Sequence, residues 1–359
     1  MNAPNLSALE SAIMAANPSG AAWSRADIRR AMSERDAVAR FNVYRAAFGV
    51  GPVSSAVDFL TVGNWPNRKD GNAKLKKSDA VSAGVTFLPA DGAARWAREV
   101  GPDALADFAD DIGMSPVRVE RKLMRLSLCP RSTAGCRAGC VVTTSGRAQL
   151  DLVQVTNRGL PWYAGTIARG RLVRSLFLAL DPAAALRLML AGIDRLAAVG
   201  RAHRLPRRWR LAIADDVRWE MVAPGLMTAC RAGNVTPYAY TKFRPEDRPE
   251  PRGAAFTYSA SERWTVAQIL AAARNGHRVA VVLDTARGAE LPAQWCGVPV
   301  VDGDATDDQS AHPRGVIVAL RAKGAARGRF IFPTENAQAL ARMADEERRA
   351  AVRVTIGTR

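Results

Sequence analysis

Histidine is scarce in this 359-residue chain, which carries only His203, His277 and His312. None sits in a paired motif of the kind that puts two imidazoles on one metal, so a histidine-built metallohydrolase is excluded. No Gly-rich phosphate loop ending in Lys-Ser/Thr is present, and no Gly-x-Ser-x-Gly nucleophile turn, which removes the P-loop and α/β-hydrolase mechanisms. Long apolar runs are also missing. Arginines interrupt every hydrophobic stretch before it reaches membrane-spanning length, so no membrane partner is expected. Cysteines number five, and the opening Met-Asn-Ala-Pro-Asn-Leu-Ser has no basic-then-apolar signal pattern. A disulfide framework is therefore not expected, and a reducing, cytoplasmic setting is.

Positive charge, by contrast, is abundant. Lys and Arg total 51 against 34 acidic residues, a net charge of +17. A surface that basic attracts polyanions through counterion release, which makes nucleic acid or a nucleotide the expected partner. An arginine-rich composition inherited from a GC-rich genome explains the same charge without a partner. Apolar residues make up 48 % of the chain, ample for a buried core.

Three of the five cysteines, Cys129, Cys136 and Cys140, fall within twelve positions. They lie on a run with Pro130, Gly135 and Gly139, flexible enough to wrap one inorganic centre. Structural zinc takes four Cys or His ligands, and no fourth is nearby. Three thiolates with one open position suit an iron–sulfur cluster that keeps one iron free. Zinc stays the alternative, should Cys230, Cys296 or a histidine fold back to complete the set.

Helical periodicity over Ser24–Phe48, Asp91–Arg98 and Asp103–Ile112 predicts a mostly helical or irregular N-terminal extension over residues 1–115. The polar, basic stretch Thr61–Lys77 reads as a loop, with Lys74 a candidate phosphate ligand. Residues 116–335 read as the main domain and 336–359 as a C-terminal helix and tail. Met124–Leu128 reads as a strand running into the cysteine loop. Asp181-Pro182 opens a helix with an apolar stripe at Leu186, Met189, Leu190, Ile193 and Leu196. Asp215-Asp216 ends a strand at Trp209–Ala214, with Asp216 expected to cap a helix over Val217–Arg231 kinked at Pro224. Strands are also predicted at Pro237–Tyr240, Ala255–Ser259, Arg278–Leu283, Val298–Val301 and Gly315–Leu320. A helix carrying Val266, Ile269 and Leu270 lies among them.

Alternation of strand and helix predicts an α/β fold with a parallel sheet, as a partial or complete (β/α) barrel or, alternatively, an open doubly wound sheet. Ligands bind such sheets at the carboxyl ends of their strands. The candidate polar residues fall at those ends: the cysteine loop, Asp215, Lys242, Ser259, Ser261, Asp302 and Asp304. Asp215 and Lys242 are the candidate catalytic pair; the rest would hold substrate or cofactor. The acidic run around Asp302, Asp304, Asp307 and Asp308 suits Mg²⁺ or ribose hydroxyls, or equally an Asp-Gly turn with solvated acids.

Taken in order, these motifs resemble a family of tailed-phage proteins, the gene-product-eighty-eight-like group. The likeness rests on Gly71-Asn72-Ala73-Lys74, Cys129-Pro130 with Cys136 and Cys140, Ile213-Ala214-Asp215-Asp216, Tyr240-Thr241-Lys242, Val301-Asp302-Gly303-Asp304, and Gly315–Val318. It departs from the family at Val141-Val142 and at Phe332-Pro333, where some members carry another cysteine. The family implies no particular reaction. A looser likeness is to radical S-adenosylmethionine (SAM) enzymes, where a three-cysteine loop after a barrel strand holds a [4Fe–4S] cluster and the free iron binds SAM. Their standard Cys-x3-Cys-x2-Cys spacing is Cys-x6-Cys-x3-Cys here. The expectation is an iron–sulfur, radical-SAM-like phage enzyme acting on a nucleotide, nucleic acid or peptide. Its rivals are a zinc-stapled nucleic-acid binder or base-exchanging enzyme, with Arg201–Arg210 tracking phosphates, and a non-enzymatic phage accessory protein.

Overall fold

A computed structural model describes residues 6–66, 79–138, 140, 152–154, 160–163, 165–286, 288–306, 308–322 and 331–357. In chain order they form α1 (Ala8–Ala15), α2 (Arg25–Ala31), α3 (Glu34–Ala47), β1 (Thr61–Gly63), β2 (Val81–Gly84), α4 (Gly92–Glu99), α5 (Pro102–Asp111), α6 (Pro116–Leu123), α7 (Ala134–Ala138), β3 (Leu152–Gln154) and β4 (Pro161–Tyr163). There follow α8 (Thr166–Leu180), α9 (Pro182–Ala202), β5 (Arg207–Ala212), α10 (Trp219–Val222), α11 (Pro224–Ala232), β6 (Thr236–Thr241), β7 (Ala255–Ser259), α12 (Val266–Arg274), β8 (Arg278–Leu283), β9 (Gln294–Trp295), β10 (Val298–Asp302), β11 (Val316–Arg321) and α13 (Asn336–Gly357).

Nine strands follow the order β1-β2-β5-β6-β7-β8-β11-β10-β9, and β3 pairs with β4 separately. The pairs β2–β5, β7–β8, β8–β11 and β10–β11 are parallel, while β1–β2 and β9–β10 are antiparallel. The protein is thus mixed α/β with a mostly parallel sheet. Among the described residues no pairing joins β1 to β9, so none closes a barrel. The chain divides into two compact units: Met1–Pro130, Val142–Tyr238 and Pro251–Gly253 form the first, and Arg131–Val141, Ala239–Glu250 and Ala254–Arg359 the second.

In the first unit α9 is the central core helix. Asp181 accepts from the Ala184 amide and Pro182 takes the first turn, as the sequence requires, and all five stripe residues from Leu186 to Leu196 are buried. An aromatic cluster of Phe41, Tyr44, Phe59 and Phe177 has centroids 5.0–5.9 Å apart, within the range of edge-to-face attraction. In the same unit Glu10 and Arg218 form a buried ion pair at 2.8 Å. Ser7, Ser24 and Ser33 cap α1, α2 and α3 by accepting the amides three residues on.

Three local expectations need correction in this unit. Met124–Leu128 is not a strand: α6 ends at Leu123, and Leu126 and Leu128 are buried as loop residues. Their apolar run packs the core while the Leu128 amide donates to Ala90 and its carbonyl accepts from the Asp216 amide. The helix expected over Val217–Arg231 is two helices, α10 and α11. Pro224 has no amide and pushes Ala223 to an extended φ of −139°, which breaks rather than bends it. The residue at the N-cap of α10 is Arg218 rather than Asp216. The strands β1 and β2 also went unread, because β2 is four residues long and buried throughout, so it shows no alternation.

The second unit stacks α12 and α13 by the strands from β7 to β11. Phe256, Tyr258, Val279, Val281, Ile317 and Val318 are buried. Buried Arg248 stacks 4.8 Å from the Phe256 ring centre, and its carbonyl accepts from the Tyr258 hydroxyl. Glu346 on α13 accepts from the first amide of α12 at 2.9 Å, an acid at the positive end of a helix dipole. The strands Ala255–Ser259 and Arg278–Leu283 match their sequence reading.

Candidate functional site

The second unit gathers four of the sequence-predicted site residues with one that was missed. Lys242 follows the last residue of β6, and Ser259 is the last residue of β7. Lys242 Nζ donates to Ser259 Oγ at 2.6 Å, fixing a cation at the carboxyl ends of the two strands. The segment Thr133–Ala138, most of it the short helix α7 where a loop is expected, comes to the same place with Cys140. Its Cys136 thiol feels the Lys242 ammonium, the Cys140 sulfur and the Glu262 carboxylate electrostatically.

Glu262 is the group that holds this loop. Its Oε1 accepts from the Gly135 amide at 2.9 Å, and it takes a second hydrogen bond from the Thr133 side chain. Thr133 Oγ1 in turn accepts from the Cys136 amide at 3.1 Å. A Cβ at position 135 would meet Glu262 Oε1 at 2.8 Å, so the glycine makes room for the carboxylate. Sequence reading stopped at Ser261, one residue short of Glu262. The available signal was a charged residue just past a parallel strand's carboxyl end, where ligands and loop anchors concentrate.

The charges explain the protonation of the site. Burial pushes the Cys136 thiol above its ordinary value; Lys242 pulls it down, and Cys140 and Glu262 push it up. Burial likewise works against the Glu262 carboxylate, but hydrogen bonds from Thr133 and Gly135, with Lys242 nearby, hold it below the usual range. Cys136 is therefore a shielded thiol beside one ammonium, and thiolate character at such a site depends on that cation.

The remaining candidates that the structure describes have partners of their own. Ser261 Oγ accepts from the Arg263 amide at 3.4 Å in the turn before α12. Asp302 and Asp304 bind Arg321: Asp302 oxygens lie 3.0 and 3.1 Å from its Nη1, and Asp304 Oδ2 accepts the Arg321 amide at 3.0 Å. Between them, a Cβ on Gly303 would sit 2.7 Å from Val318 and 3.0 Å from the Ala319 carbonyl. The Val-Asp-Gly-Asp motif is thus a clamp on β11. Asp308 accepts the Ser310 amide, and Asp307 lies outside the described residues. Lys74 also lies outside them. In the first unit Cys129 Sγ donates to the Ala214 carbonyl at 3.5 Å, and the next residue, Asp215, accepts the Val217 amide at 3.3 Å. Arg201 in the last turn of α9 and Arg204 just beyond it are exposed, whereas Arg207, Arg208 and Arg210 are half-buried on β5.

A metal centre asks for donors gathered in one place. Among the described residues no group of three or more His, Cys, Asp and Glu side chains is arranged to hold a metal ion. Cys230, a potential fourth zinc ligand, is packed in the apolar core, where burial pushes its thiol up to about 12. No single helix among the described residues is long and apolar enough to cross a membrane.

The model of the family described as Gene product 88 matches residues 68–334, from just before the Gly71–Lys74 element to just past Phe332-Pro333. The chain belongs to the Gene product 88 family. That bears out the phage-protein resemblance, and the matched span contains the cysteine loop, Lys242, Ser259, Glu262 and the Asp302–Asp304 clamp. No curated protein and no solved structure matches the chain.

Proposed function

We propose that this Gene product 88 protein is a thiol-dependent phage enzyme of the host cytosol. Its reactive centre is Cys136 with Cys140, and its substrate is an anion of nucleotide or nucleic-acid type. The observation that carries this reading is the Lys242–Ser259 bond at 2.6 Å beside the Cys136 loop. A lysine fixed at strand carboxyl ends offers a phosphate or carboxylate a preoriented cation, and it raises the thiolate fraction of the neighbouring cysteine. Glu262 holds the loop that presents the thiols. A non-enzymatic accessory role would leave this juxtaposition of cation, carboxylate and two thiols unexplained.

A ligand that binds only the folded state raises the melting temperature. Nucleoside mono- and triphosphates and SAM are therefore to be tested by thermal shift on the wild type and on Lys242→Met. Stabilisation by an anionic ligand that disappears in Lys242→Met supports the reading. An equal shift in both proteins, or none in the wild type, sinks it.

The second reading is the radical-SAM-like iron–sulfur enzyme, with a zinc-stapled nucleic-acid protein behind it. The count of three thiols in twelve positions supports it, since thiolates are the ligands of such clusters. Cys129, Cys136 and Cys140 would be the ligands. Stoichiometric iron and a thiolate–iron chromophore after anaerobic purification would favour it over the metal-free thiol centre; stoichiometric zinc would favour the staple.

A further inference from the structure

A second feature lies wholly in the first unit, and neither the cysteine loop nor the acidic clamp uses it. Helix α6 and the turn after it carry Arg118, Arg121, Lys122 and Arg125, at the i, i+3, i+4, i+7 spacing that lines one helix face. The opposite face is apolar and anchored: Val119 and Leu123 are buried. Arg118, Arg121 and Arg125 are exposed, and none of them forms an ion pair among the described residues. Glu120, the acid within the run, falls on another side of the helix.

Lys122 is half-buried at the centre of the stripe. Its Nζ donates to the Leu180 carbonyl at 3.4 Å, at the carboxyl end of α8, where a helix dipole favours a cation. Two cavities open on either side of it. One, of about 370 Å³, is lined by Arg121, Lys122 and Arg125 with Leu9, Ala12 and Ala179. The other, of about 580 Å³, shares Lys122 and adds Arg118 and Arg40. The acid bordering that second cavity, Asp181, is already engaged by Arg40. Burial and the like charges of Arg118 and Arg121 hold the Lys122 ammonium below its usual value, with Asp181 only partly opposing them. Such crowding of one sign favours an anion between the cations.

We propose that the Arg118–Arg121–Lys122–Arg125 stripe on α6 is a binding face for the phosphate backbone of a nucleic acid. From Arg118 to Lys122 helix α6 rises about 6 Å, and Arg125 in the turn beyond Leu123 extends the stripe, enough to span successive phosphates of one strand. Arginine forks suit phosphate oxygens, and the four side chains of the stripe carry donors but no acceptor. The contacts proposed are to the backbone, which carries no sequence information. The reading stands apart from the proposed enzymatic centre, since it concerns different residues in the first unit.

The test is fluorescence anisotropy of labelled single- and double-stranded oligonucleotides against the full-length protein, titrated between about 50 and 200 mM salt. Each lost phosphate contact lowers the log–log salt slope on duplex DNA by about 0.9, so Arg118→Ala/Arg121→Ala/Arg125→Ala is expected to lower it by about 2 to 3. The matching triple Lys variant keeps the charges and is expected to keep the slope. Circular dichroism on each variant checks that these exposed changes leave the fold intact. Cys136→Ser is expected to bind as the wild type does, which separates this face from the thiol centre. The proposal is overturned if the wild type does not bind, if the triple Ala variant keeps the wild-type slope, or if Arg201→Ala/Arg204→Ala abolishes binding instead. Preferential co-sedimentation with anionic phospholipid vesicles, lost in the triple Ala variant, would also overturn it and assign the stripe to a lipid surface.

Discussion

Lys242 and Ser259 share a hydrogen bond of 2.6 Å between the ends of two strands of the second unit. A lysine so tethered gives up rotamer freedom and stays where its charge acts on Cys136. Ser259→Ala removes the tether but keeps the charge. It is expected to weaken any anionic ligand of the site severalfold while leaving the unfolding free energy within about 1 kcal/mol of wild type. Calorimetric titration alongside thermal melting reads both effects.

Glu262 is expected to matter through loop order. In Glu262→Ala the Gly135 amide and the Thr133 hydroxyl lose their acceptor. Hydrogen exchange at the Gly135 and Cys136 amides should accelerate at least about tenfold, the equivalent of roughly 1.4 kcal/mol of local stability. Exchange in α12 and β8 should be unchanged.

Gly303→Ala probes the acidic clamp. An alanine Cβ would lie 2.7 Å from Val318 and 3.0 Å from a backbone carbonyl, neither of which can swing away. Overpacking of this kind costs about 1–3 kcal/mol, read as a fall in the denaturant midpoint. Asp302→Asn should also destabilise, by weakening the pairing with Arg321, and should leave any bound-metal content unchanged. A loss of metal in Asp302→Asn would return Asp302 to the site.

Acid sensitivity follows from Glu10. Its carboxylate accepts from the Arg218 Nε and Nη2 at 3.0 and 2.8 Å and from the amides of Arg218 and Ser7. Burial raises its pKa, but these bonds, led by the Arg218 side chain, hold it below the ordinary 4.5. A carboxyl depressed on folding contributes stability above its unfolded pKa, and that contribution fades as pH falls through the folded pKa. Stability should therefore drop on acidification below about pH 4.5. Glu10→Gln should be destabilised by about 3–5 kcal/mol at neutral pH, because Arg218 is left buried without its charge partner. Its unfolding free energy should show a correspondingly smaller loss on acidification.

How much of this was legible in the sequence depends on the kind of signal. Helix α9 announced itself through Asp181, Pro182 and a regular apolar stripe, and β7 and β8 through β-branched and aromatic runs bounded by turns. All three are local patterns. The placement of Lys242 and Ser259 at strand carboxyl ends was also readable, because alternation of strand and helix fixes which end carries the loops. Glu262 and Thr133 were not readable, since their pairing joins positions 129 residues apart through a loop with no periodicity. The partner of the acidic Asp302–Asp304 motif was not legible: carboxylates that bind a cation and carboxylates that bind an arginine look identical until the arginine's position is known. Met124–Leu128 misled because burial, whatever the backbone shape, selects apolar residues.

The most direct measurement is the alkylation rate of each cysteine, followed by mass spectrometry on reduced, chelator-treated protein from about pH 7 to about pH 9. Loss of the neighbouring ammonium in Lys242→Met should slow reaction at Cys136, because Lys242 is the cation that pulls that thiol's pKa down. Cys230 should stay unreactive in both proteins, shielded in the core with its thiol raised to about 12. A Cys136 rate that is the same with and without Lys242 would contradict the pairing of thiol and ammonium on which the proposed reactive centre rests.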